Sequence, residues 1–254
     1  MATISSKLIK KLPLDVGILA WHSGQTLVNT LTTYYFAGLQ DMVQNITILF
    51  QEGTLQDIQI AKHFGYEYIV LEKNVGIGKG FLHLANKFSS DNILLLEHDW
   101  HLTGSKDTAY ERLSSGLELL SEYDVIKYRH RKSPGYPLFS RGAYEGNELN
   151  HYDKEIDMIS PHLLDSVHWL NPAEEFPDKI QQQGEYFVTT SRWANWTNNP
   201  CMFKKDFYID TVTPYAGEGI DLEGKIAKWW SRQNFKVAHG EGLFTHKDLK
   251  KFGQ

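Results

Sequence analysis

NILLLEHDW, residues 92–100, is the stretch of this sequence from which the fold can be inferred. Its unbroken apolar run, Ile93 followed by three leucines, is typical of a strand that is buried on both faces of a parallel sheet. The run ends abruptly in two acids, Glu97 and Asp99. The carboxyl ends of such strands face the ligand crevice, where carboxylates can hold a cation and the cation can hold a phosphate. The alternative interpretation is an ordinary acidic strand exit into a solvated loop.

The chain before this stretch alternates predicted strands with predicted helices. Strands are expected at residues 16–20, 46–50 and 66–71, a helix from Ser23 or Thr26 to about Met42, and a second helix at 55–64 that ends at the C-cap Gly65. A third helix at about 80–88 leads into the fourth strand, and a helix at 107–122 and a strand at 125–128 repeat the pattern. This order predicts a right-handed, parallel sheet.

A glycine-rich turn, EKNVGIGKG at residues 72–80, joins the third strand to its helix. Such a turn allows backbone amides to approach an anion, and Lys73 or Lys79 could help to hold a diphosphate. The turn is not a Walker A motif, because Gly80 stands where Ser or Thr is required, and it is too far from the first strand for a dinucleotide fingerprint. The alternative is that its glycines only ease a tight connection.

Between residues 129 and 199 the alternation ends in a long loop-rich segment, with short strands expected near 167–170 and 186–190. Its aromatic residues, with Trp193 and Trp196, could stack on sugar rings or pack the loop onto the domain.

Regular elements return after residue 199. A strand is expected from about 199 to 203, a helix follows around 222–230, and another strand at 235–238 leads to His246 in a C-terminal loop. Three acids stand before or in the first turn of that helix: Glu218, Asp221 and Glu223. They complement the helix dipole, and one of them could also be a general base.

The bulk composition limits the classes of protein to consider. A chain of 254 residues that is 41% hydrophobic can bury the core of one α/β domain. The net charge of −5 lacks the basic footprint of a protein that binds a nucleic acid polymer. Cys201 is the only cysteine, which excludes an internal disulfide and favours a reducing compartment. With no apolar run of membrane-spanning length and no signal-like N-terminus, a cytoplasmic protein is expected.

Taken in order, these features resemble glycosyltransferases of the GT-A fold, closest in style to the inverting family 2. The resemblance covers residues 16–100 and 198–246. It implies an α/β fold, a three-layer α/β/α sandwich with a mostly parallel central sheet and a C-terminal acceptor-side region. It further implies a single domain over 1–254, in which 1–128 binds the nucleotide sugar and 129–254 supplies the acceptor side and the catalytic base.

The resemblance also implies site residues. The implied nucleotide-binding positions follow the first strands and the Asn-x-Gly turn and continue into the acidic motif: Ala20, Trp21, His22, Glu52, Asn74, Gly76, Lys79, Glu97 and His98. Glu97-His98-Asp99 occupies the place of the Asp-x-Asp metal motif, so the implied metal ligands are Asp99, Glu97 and the late His246. The implied base is one of Asp221, Glu218 and Glu223.

Three positions depart from the family pattern. Glu97 replaces the first aspartate of the metal motif, Gln51-Glu52 replaces a pair of acids, and Gly219 stands where a Glu-Asp pair is common. The first change keeps a carboxylate, whereas the third leaves the identity of the base open.

The resemblance therefore implies a metal-dependent inverting glycosyltransferase that uses Mn²⁺ or Mg²⁺, a UDP or GDP sugar, and a carbohydrate or glycoconjugate acceptor, and the chemistry of these residues fits it. A catalytically silent binding protein on the same fold is one alternative, because of Glu97 and the missing Glu-Asp pair. A sugar-1-phosphate nucleotidyltransferase is another, although such enzymes normally need a glycine-rich loop at the first strand, which residues 21–26 do not provide.

Overall fold

The computed structural model describes residues 10–133, 166–216 and 222–246, without the side chains of residues 222, 224 and 225. The strands in chain order are β1 Leu12–Trp21, β2 Val43–Gln51, β3 Glu67–Leu71, β4 Asn92–Glu97, β5 Trp100–Leu102, β6 Val125–Arg129, β7 Gln181–Gln183, β8 Tyr186–Thr190, β9 Cys201–Lys204 and β10 Lys236–His246. The helices are α1 Gly24–Ala37, α2 Leu39–Met42, α3 Leu55–Phe64, α4 Ile77–Lys87, α5 Lys106–Leu119, α6 Pro172–Glu175, α7 Thr213–Ala216 and α8 Leu222–Trp230.

All ten of these strands belong to one sheet, in the order β3-β2-β1-β4-β9-β6-β10-β8-β7, with β5 paired to β10. The strands β3, β2, β1 and β4 are mutually parallel, as the strand-helix alternation predicts. Beyond them β9 is antiparallel to both β4 and β6, while β6 is parallel to β10. The carboxyl ends of β1, β2 and β4 therefore lie at one edge of the sheet, where Trp21 is in register with Gln51 and Leu19 with Glu97.

Apolar side chains cover both faces of the sheet. In β4, Leu94 and Leu96 belong to a core that includes residues of α1, α2, α3 and α5, whereas Ile93 and Leu95 belong to a second core with residues of α4 and α8. Because neighbouring residues of a strand point to opposite faces, the helices form layers on both sides of the sheet. The result is the three-layer α/β arrangement that the sequence predicts.

One predicted helix end is confirmed and another is wrong. Gly65 adopts the left-handed conformation (φ 72°) after α3, which Thr54 and Asp57 begin with a reciprocal capping box. The predicted helix to Met42 is instead interrupted at Gly38, whose φ of 67° ends α1 and separates it from α2.

The strand predicted near residues 167–170 is wrong, because Ser166–His168 forms a 3₁₀ helix. The buried Arg131 side chain explains the difference: it donates hydrogen bonds to the carbonyls of Ser166, Trp169 and Leu170. These carbonyls are therefore occupied by a guanidinium group instead of a neighbouring strand. The strand predicted at 186–190 is confirmed as β8, while much of the surrounding loop-rich segment (134–165) lies outside the described residues.

The prediction that His246 lies in a C-terminal loop is also wrong. The last predicted strand is longer than its apolar residues indicate, and β10 continues to His246, which pairs with Trp100 of β5. Within the described ranges, no helix combines the length and the apolar character that crossing a membrane requires.

Candidate active site

Asp99 and His246 meet at the carboxyl end of β4. The chain turns at His98 and Asp99 and continues as β5, which pairs with the end of β10 and so brings His246 beside Trp100. The Nε2 atom of His246 lies 2.9 Å from Oδ2 of Asp99, and its ring packs edge-on against the buried Trp100 ring at 5.1 Å. Two residues far apart in sequence are thus held as a carboxylate-imidazole pair.

The environment of Asp99 keeps its carboxylate charged. Burial raises its pKa, but the hydrogen bond from His246 and the charges of His246 and His98 outweigh burial and lower the pKa below its ordinary value. Its second oxygen, Oδ1, is buried and has no hydrogen-bond partner among the residues that the structure describes. Since buried polar atoms are almost always bonded, this oxygen is available to a cation or another donor that binds at the site.

Glu97 lies in a crowded acidic environment. Burial is the main reason that its pKa rises to about 7, and the charges of Asp99 and Glu223 raise it further against the opposing effect of His246. Glu97 is therefore close to half protonated near neutral pH. In the parts of the chain that are described, no group of three or more His, Cys, Asp or Glu side chains is arranged as a metal site, so Asp99 and His246 form a pair that Glu97 does not complete.

The ends of β1 and β2 form a second cluster. The Trp21 indole donates a 2.7 Å hydrogen bond to Glu52, and His22 lies 3.3 Å from the same carboxylate oxygen. The Trp21 hydrogen bond is the main reason that the pKa of Glu52 is lowered; desolvation acts in the opposite direction, and the charge of His22 lowers the pKa further. His22 and Glu52 both have positive φ values, of 45° and 52°, which are uncommon for residues other than glycine. Ala20, just before Trp21 in β1, is fully buried in the core.

The Asn-x-Gly turn is fixed to the end of β2. The buried Gln51 side chain accepts a 2.8 Å hydrogen bond from the Val75 amide, and the Asn74 side chain accepts one of 2.8 Å from the Gly76 amide. Helix α4 begins directly afterwards at Ile77. Gly80 then packs so close to β1 that an added Cβ would lie 2.6 Å from Leu19, and Lys79 beside it is exposed. The glycines are thus required by the turn and by helix-strand packing.

Replacing Gly76 by alanine is expected to lower the free energy of unfolding by about 1–3 kcal/mol. Gly76 has φ 84° and ψ 166°, a backbone conformation that only glycine adopts without strain. The measurement is the urea unfolding midpoint, with Gly65→Ala as a matched control. Gly65 has the milder left-handed conformation and no atom within 4 Å of an added Cβ, so its variant should lose less. Equal losses in the two variants would contradict the strained geometry at Gly76.

Of the three candidate bases, Glu223 is the one within the described residues; Glu218 and Asp221 lie outside them. Glu223 is in the first turn of α8, and its Oε1 atom accepts a 2.7 Å hydrogen bond from the Asn198 amide. Its charge acts on Glu97, so the start of α8 lies beside the acidic motif. The structure therefore brings Glu97, Asp99, His246 and Glu223 to the same edge of the sheet.

Two contributing residues were missed by sequence reasoning. Gln51 was recognised as replacing an acid but not as the anchor of the glycine-rich turn, and Trp100 was not assigned the role of packing against His246. The sequence did contain a clue to Gln51, since it is a polar residue at the end of a predicted buried strand. The sequence contained no clue to Trp100, because its contact with His246 depends on the pairing of β5 with β10.

No protein-family model and no curated protein matches this chain in sequence. Solved structures do match: residues 1–349 of TarS from S. aureus superpose with a TM-score of 0.52 at 13% identity over 96% of this chain. A longer TarS structure gives a TM-score of 0.56 at 10% identity over 93% of this chain. This chain spans 62% and 36% of the lengths of those two chains. The likeness shows that the chain has the GT-A fold, which confirms the fold that the sequence resemblance implied.

Proposed function

We propose that this chain is a metal-dependent, inverting glycosyltransferase that moves a sugar from a UDP or GDP sugar to a hydroxyl of a carbohydrate or glycoconjugate. The observation that carries the proposal is Asp99: a charged, half-buried carboxylate at the end of β4, paired with His246 and holding one buried oxygen without a partner among the described residues. The GT-A fold supports it, because the carboxyl ends of parallel strands in such sheets face the ligand crevice and Asp99 follows the end of β4.

The donor set fits a hard divalent cation. Asp99 and His246 would hold the ion, with Glu97 beside them, and oxygen ligands with one imidazole suit Mn²⁺ or Mg²⁺. Such ions are usually bound by one or two carboxylates together with substrate phosphates, so a two-residue protein site is sufficient. When bound, the ion would neutralise the charge that develops on the departing nucleoside diphosphate.

The remaining residues at this edge would orient the donor. Trp21 leaves 47% of its surface exposed while its indole N–H is held by Glu52, so a ring face is available for a nucleotide base to stack on. Glu52, His22 and Lys79 add polar groups for the base, the ribose or the diphosphate. The turn at Asn74–Gly76 places the start of α4, the positive end of its dipole, at the same edge.

Transfer requires an acceptor hydroxyl to lose its proton as its oxygen bonds to the anomeric carbon and the bond to the diphosphate breaks. A carboxylate within hydrogen-bond reach of that hydroxyl would take the proton. Asp221 and Glu218 are the first candidates and Glu223 the third. A single direct displacement would invert the configuration at the anomeric carbon.

Calorimetric titration of UDP and GDP, with and without Mn²⁺, tests the proposal. At least one nucleotide is expected to bind in the presence of Mn²⁺ and to be released when EDTA removes the ion. Without the cation, Asp99 and His246 would have no favourable contact with the negatively charged diphosphate. Binding that is indifferent to the metal, or no binding of either nucleotide, would contradict the proposal.

Turnover assays separate the alternatives. A transferase releases UDP or GDP from a nucleotide sugar, slowly to water and faster with an acceptor. A silent binding protein would bind nucleotide without releasing diphosphate, and a nucleotidyltransferase would instead release pyrophosphate from a nucleoside triphosphate and a sugar 1-phosphate.

A further inference from the structure

Strand β10 contains an irregularity just before the stretch that carries His246. From residue 239 to residue 244 it advances by five residues, while its partner β6 advances by two, from residue 127 to residue 129. Three extra residues are therefore inserted in β10, and we call residues 240–242 the bulge. Before the bulge β10 pairs with β8, and after it β10 pairs with β5, which places His246 opposite Trp100. The bulge thus decides which neighbour the end of β10 meets.

Glycines allow the bulge to pack closely against the neighbouring strands. Gly242 has a φ of 80°, and a Cβ added to it would lie 2.2 Å from the carbonyl oxygen of Arg129. A Cβ added to Gly240 would lie 2.9 Å from the Tyr186 ring. The backbone of β10 is therefore in direct contact with β6 and β8 at the point where its register changes.

Arg112, in α5, binds two consecutive residues of the bulge. Its Nη1 atom donates a 2.5 Å hydrogen bond to the Gly242 carbonyl, and its Nη2 atom donates to the carboxylate of Glu241. The Arg112 side chain is only 21% exposed, and a planar group that engages two acceptors at once has little freedom to move. The Arg112 carbonyl in turn accepts a 3.0 Å hydrogen bond from Tyr128 of β6, so this part of α5 is anchored beside the bulge.

Backbone hydrogen bonds connect the bulge to His246. The Leu243 carbonyl accepts a 2.8 Å hydrogen bond from the Thr103 amide, and the Phe244 carbonyl also accepts a backbone amide hydrogen, at 2.7 Å. These bonds carry the register that is fixed at the bulge to His246, two residues further on. A slip of one residue would turn His246 to the other face of the sheet, away from Asp99.

We infer that Arg112 is a positioning residue: by holding the bulge it fixes the register of β10 that sets His246 against Asp99. Arg112 acts through His246 and is assigned no contact with substrate or metal. The consequence for Mn²⁺ binding rests on the proposed function, because a metal ligand must be held close to its productive position.

Hydrogen exchange in the metal-free protein tests the positioning directly. Arg112→Met removes both hydrogen bonds, and the amides of residues 243–246 are expected to exchange at least about tenfold faster, whereas residues 14–20 of β1 report any global loss of stability and should change less. Lys106→Met is the matched control, since it removes another ion pair of α5, 2.9 Å from Asp41, and should leave residues 243–246 unchanged. Unchanged exchange of these amides in Arg112→Met would overturn the inference.

Gly242→Ala disturbs the bulge without touching Arg112. The added methyl group collides with the backbone of Arg129, so residues 243–246 are expected to exchange faster, as in Arg112→Met. Gly184→Ala is the control, because Gly184 also has a positive φ, of 58°, but has no atom within 4 Å of an added Cβ. Equal exchange at residues 243–246 in the two glycine variants would count against the bulge as the element that sets the register.

The metal arm measures, by calorimetry, the Mn²⁺ concentration that gives half-maximal binding of UDP or GDP. Arg112→Met is expected to raise this concentration about tenfold, and Lys106→Met by less than about twofold. Arg112→Lys should recover part of the loss, because lysine keeps the charge but lacks the planar fork that reaches both acceptors.

A double variant separates positioning from general destabilisation. In His246→Ala the ligand that Arg112 positions is gone, so adding Arg112→Met should raise the Mn²⁺ requirement no further. A purely structural role would instead raise the requirement by the same factor in both backgrounds, and that result would refute the inference.

The outcomes also distinguish this inference from the proposed function. If the wild type binds UDP or GDP with Mn²⁺ and Arg112→Met needs no more Mn²⁺ than the wild type, the inference is wrong and the proposed function stands. If the wild type binds no nucleotide, the proposed function fails, and the exchange of residues 243–246 alone decides the inference.

Discussion

Replacing Asp99 by asparagine is expected to lower the Mn²⁺-dependent affinity for UDP or GDP by about 100-fold or more, equivalent to about 2.7 kcal/mol. Asparagine keeps the size of the side chain but removes the negative charge that a divalent cation requires, and it also removes the charge partner of His246. The measurement is calorimetric titration of the nucleotide at saturating and zero Mn²⁺. The Trp21–Glu52 cluster itself should be unaffected by this replacement, because it forms at the ends of β1 and β2.

Asp91→Asn is the matched control for this experiment. Asp91 is exposed just before β4, at the opposite end of the strand from Asp99, so its replacement alters the same charge without approaching the site. Affinity within about twofold of wild type is expected. Equal losses in the two variants would point to a general effect of charge, and an Asp99→Asn protein that still responds fully to Mn²⁺ would place the metal elsewhere.

Conversion of the catalytic base to its amide is expected to lower kcat by about 10²–10⁴-fold while leaving the affinity for UDP or GDP unchanged. The three variants to compare are Asp221→Asn, Glu218→Gln and Glu223→Gln. Glu223 is expected to show the smallest fall, because one of its oxygens already accepts the Asn198 amide hydrogen and an amide side chain can still accept it. The measurement is initial-rate release of UDP or GDP from the nucleotide sugar with a saccharide acceptor.

The pattern across the three variants identifies the base. A large fall in one variant assigns the proton transfer to that residue, whereas equal small falls would indicate only altered charge around Glu97. If all three variants retain kcat within about threefold, the base does not come from this segment. The departure from the family pattern at Gly219 would then mean that another residue takes the proton.

The elements that the sequence predicted well are those with local signals. The apolar run at 93–96 predicted a doubly buried strand, and β4 places its alternate residues in two cores. Gly65 and the helical spacing of residues 55–64 predicted α3 and its end. In both cases the information lies within a few residues, where backbone conformation and burial are decided by neighbours along the chain.

The elements that could not be predicted from the sequence depend on partners that are far away along the chain. Residues 201–203 could be recognised as a strand, but not that this strand would lie antiparallel between β4 and β6. Similarly, nothing local to residues 166–170 reveals that the Arg131 guanidinium would take their carbonyls. Strand pairing and buried side-chain hydrogen bonds are long-range choices, so propensity cannot decide them.

The residues of the candidate site also fall into two groups: those that the sequence indicated and those that only the structure reveals. The family resemblance led to Asp99, Glu52 and His246 from their order in the chain, and the structure brings Asp99 and His246 into contact. The roles of these residues in binding and catalysis stay predictions. No pattern could show that Trp196, Thr197 and Tyr208 hold polar atoms without a partner among the described residues, because such a lack is a property of the packed structure.

The position of β9 also has a consequence for biosynthesis. Strands β4 and β6 flank a gap that only residues 201–204 fill, and β10, which carries His246, is added later still. A nascent chain that has emerged from the ribosome only through β6 therefore has an apolar strand edge at Ile93–Leu95 with no neighbour to pair with, and such edges are prone to aggregate. The carboxylate-imidazole pair likewise cannot form before the last strand is made.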